Sequence, residues 1–268
     1  MRPATGADAT VLSSITSAEF PHLYALREEL RSWKFLQLDP MRMREPSPQF
    51  AAEVLETDGR NLATVLHRLR AETSADERAT GVYAAIVADL SKMVGGVRRL
   101  NVEPDSQTRT FRVSLTMRDD IDYSSRVVSD GTLRLLALFS FLHDPRFSGV
   151  LCMEEPENGI HPQRLRELIR SLRAHAAQPA DSDGRIDSLK QIITNSHSPV
   201  VLSVVQGGNA EAFFADMVAR RTPSGAKVRR TRVRPVVAGE QGRLLAKQGQ
   251  AVTAFEVQRY LDTARSDM

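Results

Sequence analysis

The chain has 268 residues, 41% of them hydrophobic and 26% charged, enough apolar material for one large domain or two small ones around a real core. Its 36 basic and 33 acidic residues leave a formal charge of only +3, so net electrostatics alone supply no case for nucleic acid, even with a pI of 9.2. The single cysteine, Cys152, excludes an internal disulfide framework and a multi-cysteine zinc site. No run reaches the roughly 20 apolar residues of a membrane span and no signal-peptide pattern opens the chain, so a cytoplasmic protein without a membrane partner is expected.

In chain order, residues 20–38 place apolar and charged positions at helical spacing, and three prolines within 39–48 end that pattern in a loop. Two further helical patterns, 61–71 and 79–94, flank a polar segment at 72–78 and should pair. From residue 98 the period changes to two. Val102, then Phe111, Val113 and Leu115, then residues 123–127 predict three short strands in a small antiparallel layer. Beyond Ser129 the order is helix (132–142), strand (149–153), helix (162–177), strand (191–194) and helix (199–205). Strands alternating with helices predict a parallel, doubly wound α/β sheet flanked by helices. Residues 178–188 read as a surface loop, and two strand-like runs past Glu211 precede a helix near 253–264. There is no internal repeat. Trp33 and Phe35 are expected in the core. The implied divisions are a helical middle segment (1–97), a small antiparallel layer (98–128) and a C-terminal α/β lobe (129–268).

The strand Val150, Leu151, Cys152, Met153 is apolar throughout, as a strand buried on both faces should be, and it ends in Glu154, Glu155 and Pro156. Acids at the carboxyl end of a parallel strand face the ligand crevice of an open α/β sheet, where they suit a metal ion and a water molecule. An isolated Glu-Glu pair is more often a solvated loop start. Two neighbours change that weighting. Upstream, Ser129, Asp130 and Gly131 precede an almost wholly apolar helix, so Ser129 or Asp130 can cap it while Gly131 lets a ligand approach the backbone. Downstream, the apolar strand at 191–193, expected to be buried, ends in Thr194, Asn195, Ser196 and His197, which puts a histidine at the same sheet edge.

These residues resemble the ATP-binding-cassette ATPases of the RecF, SMC and OLD-like group, AAA-type core ATPases, over residues 124–205. Ser129 to Thr132 resembles the signature motif, and Glu154 to Pro162 resembles the Walker B to D-loop segment of the OLD-like branch. The resemblance implies that Glu154 holds Mg2+ through water, that Glu155 polarises the attacking water, and that His197 contacts the γ-phosphate of ATP. It also implies that Ser129 and Gly131 reach a nucleotide held by a second subunit, in a head-to-tail homodimer. Glu154 stands where most such ATPases have Asp, and His161 stands where the D-loop Asp usually does, with Pro162 suiting the first turn of a helix so that His161 could be a cap residue.

A larger departure is that no glycine-rich loop ends in Lys-Ser or Lys-Thr; Lys34, Lys92, Lys190, Lys227 and Lys247 all lack that setting. In the family this Walker A loop precedes the region resembling residues 20–38, so the expectation is a C-terminal portion that starts late and needs a Walker A lobe in cis or in trans. By itself such a chain should be inactive. A non-catalytic regulatory or interaction module derived from such an ATPase is the alternative, and a coupled effector nuclease ranks last because no acids cluster after Glu211. Lys227, Arg229, Arg230, Arg232 and Arg234 form a basic strand that could contact nucleic acid but reads first as a solvated edge strand. His22, His67, His143 and His175 have no companion ligands at metal spacing in the sequence, and no chemistry is assigned to them.

Overall fold

Helix α1 (Pro21–Ser32) opens with proline at its first position, where the missing N–H costs nothing. It stops at Ser32 because Trp33 turns extended and residues 34–36 become a strand, β1 (Lys34–Leu36), which pairs in parallel with a later strand. The helix expected over 20–38 is therefore shortened. Alternation along β1 buries Leu36 at 5% exposure and turns Phe35 outward at 60%, with Trp33 at 37%, so the core placement of these two aromatics is overturned. The computed structural model describes residues 10–16, 20–73, 81–176, 190–205, 212–221, 227–237, 246 and 249–266. It divides into two units, Met1–Gly159 with Ala174–Asn195, and Ile160–Arg173 with Ser196–Met268.

In the first unit a short helix, α2 (Pro40–Met43), is capped by Asp39, whose carboxylate accepts from the Met41 N–H at 2.9 Å, and β2 (Ser47–Pro48) follows. Helices α3 (Leu62–Thr73) and α4 (Gly81–Met93) pack together, with the Tyr83 hydroxyl donating to the Leu66 carbonyl at 2.8 Å. The expected antiparallel layer is present as β3 (Arg99–Asp105), β4 (Thr110–Thr116) and β5 (Asp122–Ser124), with β2 joining β4. Period-two alternation turns Leu100, Val102, Phe111, Val113 and Leu115 inward. Phe111 stacks on His67 of α3 at 4.0 Å.

Helix α5 (Asp130–Leu142) buries every residue except Asp130 and Arg134. β6 (Gly149–Glu154) is the middle strand of a parallel sheet ordered β1, β6, β7, with β7 at Lys190–Asn195. Val150, Leu151 and Met153 are buried as expected. The expected burial of the 191–193 strand is not found. β7 stands at the edge of the described sheet, and Ile193 is 55% exposed. The surface loop expected at 178–188 and most of the polar segment at 72–78 lie outside the described residues.

The second unit contains a 3-10 turn (Pro162–Arg164) leading into α6 (Leu165–Ala176), whose residues from Ala174 onward belong to the first unit, and α7 (Pro199–Val205). β8 (Phe213–Arg221) and β9 (Lys227–Val237) form an antiparallel pair, and β10 (Val252–Thr253) lies parallel to β9 on its other side. β10 flanks only Val236 and Val237, so the basic stretch at 227–234 is paired on one side alone among the described strands and is largely exposed, as a solvated edge. Asp216 accepts from Arg232 at 3.0 and 2.6 Å and from Arg234 at 3.1 Å, which neutralises part of its charge. α8 (Ala254–Ser266) starts with a reciprocal capping box: Glu256 accepts the Thr253 N–H at 2.7 Å, and Thr253 Oγ1 accepts the Glu256 N–H at 3.3 Å. Among the described residues no helix is long and apolar enough to cross a membrane.

A buried ion pair fixes the loop beyond α5. Arg68 on α3 is 8% exposed and bonds Asp144, whose own exposure is 2%; Arg68 also donates to the Glu53 carbonyl at 2.9 Å and to Glu72 at 2.7 Å. Removing one partner strands a charge away from water. Arg68→Ala should therefore lower unfolding free energy by about 3–5 kcal/mol, whereas the double change Arg68→Met with Asp144→Leu should cost clearly less; denaturant titration of both variants measures the difference.

Candidate functional site

β6 carries its apolar run to Met153 and delivers Glu154 and Glu155 at its carboxyl end. Glu154 sits in register with Asn195 of β7 and is exposed. Glu155 adopts a left-handed backbone, φ 43°, a conformation that costs a side-chain-bearing residue on the order of 1 kcal/mol or more. Contacts to Asn195 and Asn158 hold it there. Its N–H donates to the Asn195 side-chain oxygen at 3.0 Å and to the Asn195 carbonyl at 3.2 Å, and its Oε2 accepts from Asn158 at 2.6 Å. The Asn158 N–H closes the turn on the Glu155 carbonyl at 2.9 Å.

That turn brings Gly159, φ 80°, against the start of α5. A Cβ on Gly131 would overlap the Gly159 carbonyl oxygen and lie 2.8 Å from its carbon, and a Cβ on Gly159 would lie 3.1 Å from the Gly131 Cα. Gly131 is buried in this contact, so its small size serves the approach of its own chain. Ser129 caps α5 through the Thr132 N–H at 3.3 Å, with the two hydroxyls 2.8 Å apart. Asp130 is paired to Arg44 at 2.7 Å. Arg44 also donates to the Val128 carbonyl at 2.8 Å and to the Arg126 carbonyl at 3.3 Å, and its own carbonyl accepts from Ser125 at 3.0 Å. One arginine thus fixes the segment that leads into the helix. Sequence reasoning missed it, since nothing near residue 44 marks a partner more than 80 positions away.

Glu154 and Glu155 border a small cleft whose other walls include Leu36, Leu38, Leu135 and Arg134. Arg134 is one of the two α5 positions left unburied, which places a cation beside the acids. Carboxylate oxygens are the donors that a hard divalent ion takes, so this pair fits Mg2+. Of the five expected site residues, Ser129, Gly131, Glu154 and Glu155 belong to the first unit. His197 belongs to the second, exposed in the turn before α7, where Ser198 N–H donates to Ser196 Oγ at 2.9 Å. His161, in the same unit, is a cap: its Nδ1 accepts from the Gln163 N–H at 3.4 Å. Cys152 is half-buried with its thiol pKa pushed up by burial, consistent with a packing role. The expectation that His143 and His175 lack companions is overturned, because the fold brings both to Asp89.

The parallel sheet with its flanking helices is an α/β module, and its family is one of ATPase-type domains. The family described as "AAA domain, putative AbiEii toxin, Type IV TA system" matches residues 12–203, and the chain belongs to it. No curated protein matches the chain in sequence. Among solved structures, it is similar to the Smc head domain with a coiled coil and joint from Pyrococcus yayanosii (12% identity, TM-score 0.39, 69% of this chain and 29% of that one). It is also similar to the Smc head with an extended coiled coil bound to the C-terminal domain of ScpA from Pyrococcus furiosus (10%, 0.36, 62% and 37%). An Smc head bound to the C-winged helix domain of ScpA aligns at 11% identity and TM-score 0.45, covering 80% of this chain and 57% of that one. The chain thus spans well under half the length of the first two.

Gly131→Ala should displace the turn after Glu155 and destabilise the protein by about 1–3 kcal/mol. Gly95→Ala, where an added Cβ meets nothing within 4 Å, should be close to neutral. Thermal unfolding of the two variants side by side tests the contact.

Proposed function

We propose that this chain is the C-terminal lobe of an ABC-type ATPase head that hydrolyses ATP, in a cytoplasmic setting, once a Walker A lobe joins it in cis or in trans. The observation that carries the reading is Glu155, held in a left-handed turn beside Glu154 at the end of β6. A carboxylate oriented by Asn158, on a backbone tied to Asn195, can orient a water molecule and take its proton as it attacks. Glu154 would hold Mg2+ through water; that ion, when bound, offsets negative charge on the phosphates. His197 is assigned to the γ-phosphate by resemblance. Ser129, at a capped helix start, would face a nucleotide bound by the second subunit of a head-to-tail dimer, while Gly131, buried against Gly159, would serve that helix start by letting the two backbones meet. Nucleic acid or an effector nuclease could be the partner that reads the ATP cycle.

In the completed ATPase, Glu155→Gln should leave ATP binding intact and slow hydrolysis by a factor on the order of 10² or more. Steady-state turnover near that of the parent enzyme would remove Glu155 from the mechanism.

The chain alone should not bind ATP tightly. A triphosphate carries about four negative charges, and the phosphate loop absent from this sequence would supply most of the amide donors and the lysine that meet them. Glu154 and Glu155 add repulsion where those charges would sit. Calorimetric titration with magnesium-ATP should show no micromolar binding until a Walker A lobe is supplied. Micromolar binding by the chain alone, lost on changing Glu155 or His197, would mean that the phosphate site lies elsewhere. Persistent absence of binding and turnover with the lobe present would favour the regulatory-module alternative.

A further inference from the structure

Three side chains far apart in sequence meet in the first unit, away from the acidic strand end. Asp89 lies on α4, His143 caps the C-terminal end of α5, and His175 lies near the end of α6. His143 Nε2 is 2.8 Å from Asp89 Oδ2 and 3.3 Å from His175 Nε2, and His175 Nε2 is 3.6 Å from the same Asp89 oxygen. The two imidazole rings meet edge to face, 4.7 Å between centroids.

Hydrogen bonds alone satisfy this arrangement poorly. An imidazole nitrogen offers either one N–H or one lone pair in the ring plane. If His143 Nε2 donates to Asp89, it has no lone pair with which to accept from His175. If it accepts from His175, it turns a lone pair on the carboxylate oxygen 2.8 Å away. A cation in place of the proton could take a lone pair from each of the three atoms. The point equidistant from the three atoms lies about 1.9 Å from each, so an ion slightly above their plane would sit at about 2.0–2.1 Å, the length of zinc–nitrogen and short zinc–oxygen bonds.

We infer that Asp89, His143 and His175 form a binding site for a zinc ion, with a water molecule completing four-coordination. Two nitrogens and one carboxylate oxygen make a borderline donor set, which suits zinc and disfavours magnesium and calcium. Burial holds the His143 pKa below its ordinary value, with a smaller opposing pull from Asp89, which favours the neutral ring that a metal takes. The other Asp89 oxygen accepts from Lys92 at 2.7 Å, which orients the carboxylate and leaves Oδ2 facing the histidines. Lys190 supplies a second nearby cation, whose ammonium donates to the Leu142 carbonyl at 3.2 Å and stands over the Phe147 ring at 5.4 Å. Its charge opposes the ion, so moderate affinity is expected. The site would pin the C-terminal end of α5 to α4 and to the last residues of α6, from Ala174 onward. It is independent of the ATPase reading.

The test uses the full chain freed of metal by a chelator. Zinc titration against a chromophoric competitor should show one ion per chain bound at micromolar concentration or tighter. Cobalt substitution should give the intense visible absorption of a four-coordinate site, which added zinc abolishes. His143→Gln and His175→Gln should each weaken zinc binding by at least about 100-fold, the upper range for losing even an outer partner, while His22→Gln should not. Histidine nitrogen NMR of the unaltered chain should show two Nε2 resonances shifting together on zinc addition, a readout that does not depend on how the variants fold. Absence of stoichiometric binding, or binding that leaves those two resonances unmoved or survives both substitutions, would overturn the site.

Discussion

The burial of α5 is the constraint on which the rest of the first unit depends. Eleven of its thirteen residues are buried, and a fully buried Leu or Phe contributes about 1.5–3 kcal/mol relative to exposure. A helix buried on nearly all sides cannot rotate without breaking several contacts at once. Its two ends are separately tied: Arg44 holds the segment before Asp130, and the Arg68 to Asp144 pair holds the loop beyond Leu142. With the helix fixed in rotation and position, its first turn becomes a rigid wall for the strand end beside it.

The acidic strand end is built by the opposite means. Few large side chains are buried between Glu154 and Gly159, and the turn owes its shape to hydrogen bonds from Asn195 and Asn158 and to the left-handed backbone at Glu155. Strained, polar and exposed segments of this kind occur where the chain trades stability for a defined presentation of chemical groups. A hydrophobic strut and a polar turn thus meet at one place, and each supplies what the other lacks.

What could be read from the sequence follows from the range of the forces involved. α5, β6 and α7 were legible because each is an apolar run or period long enough to declare itself, and the antiparallel layer followed from alternation at Phe111, Val113 and Leu115. β1 was missed because three residues of strand exist only through pairing with β6, so local periodicity continues the helix across them. The exposure of β7 is a fact of sheet order, which strand patterns do not encode. Of the site, the acids and the helix cap were legible as motifs. Arg44 was not, nor was the meeting of Asp89, His143 and His175, because neither leaves a periodic or spaced signal along the chain.

The contact of Gly131 with Gly159 brings two backbones together with no side chain between them. Side chains cushion most packed interfaces, since rotamers can shift to absorb small displacements. Here that cushion is missing. A shift of the turn after Glu155 toward α5 has to push the helix along with it, and a helix of thirteen residues carries such a push about 20 Å along its axis. The chain therefore contains a stiff mechanical coupling, with the acidic turn at one end and the loop around Asp144 at the other.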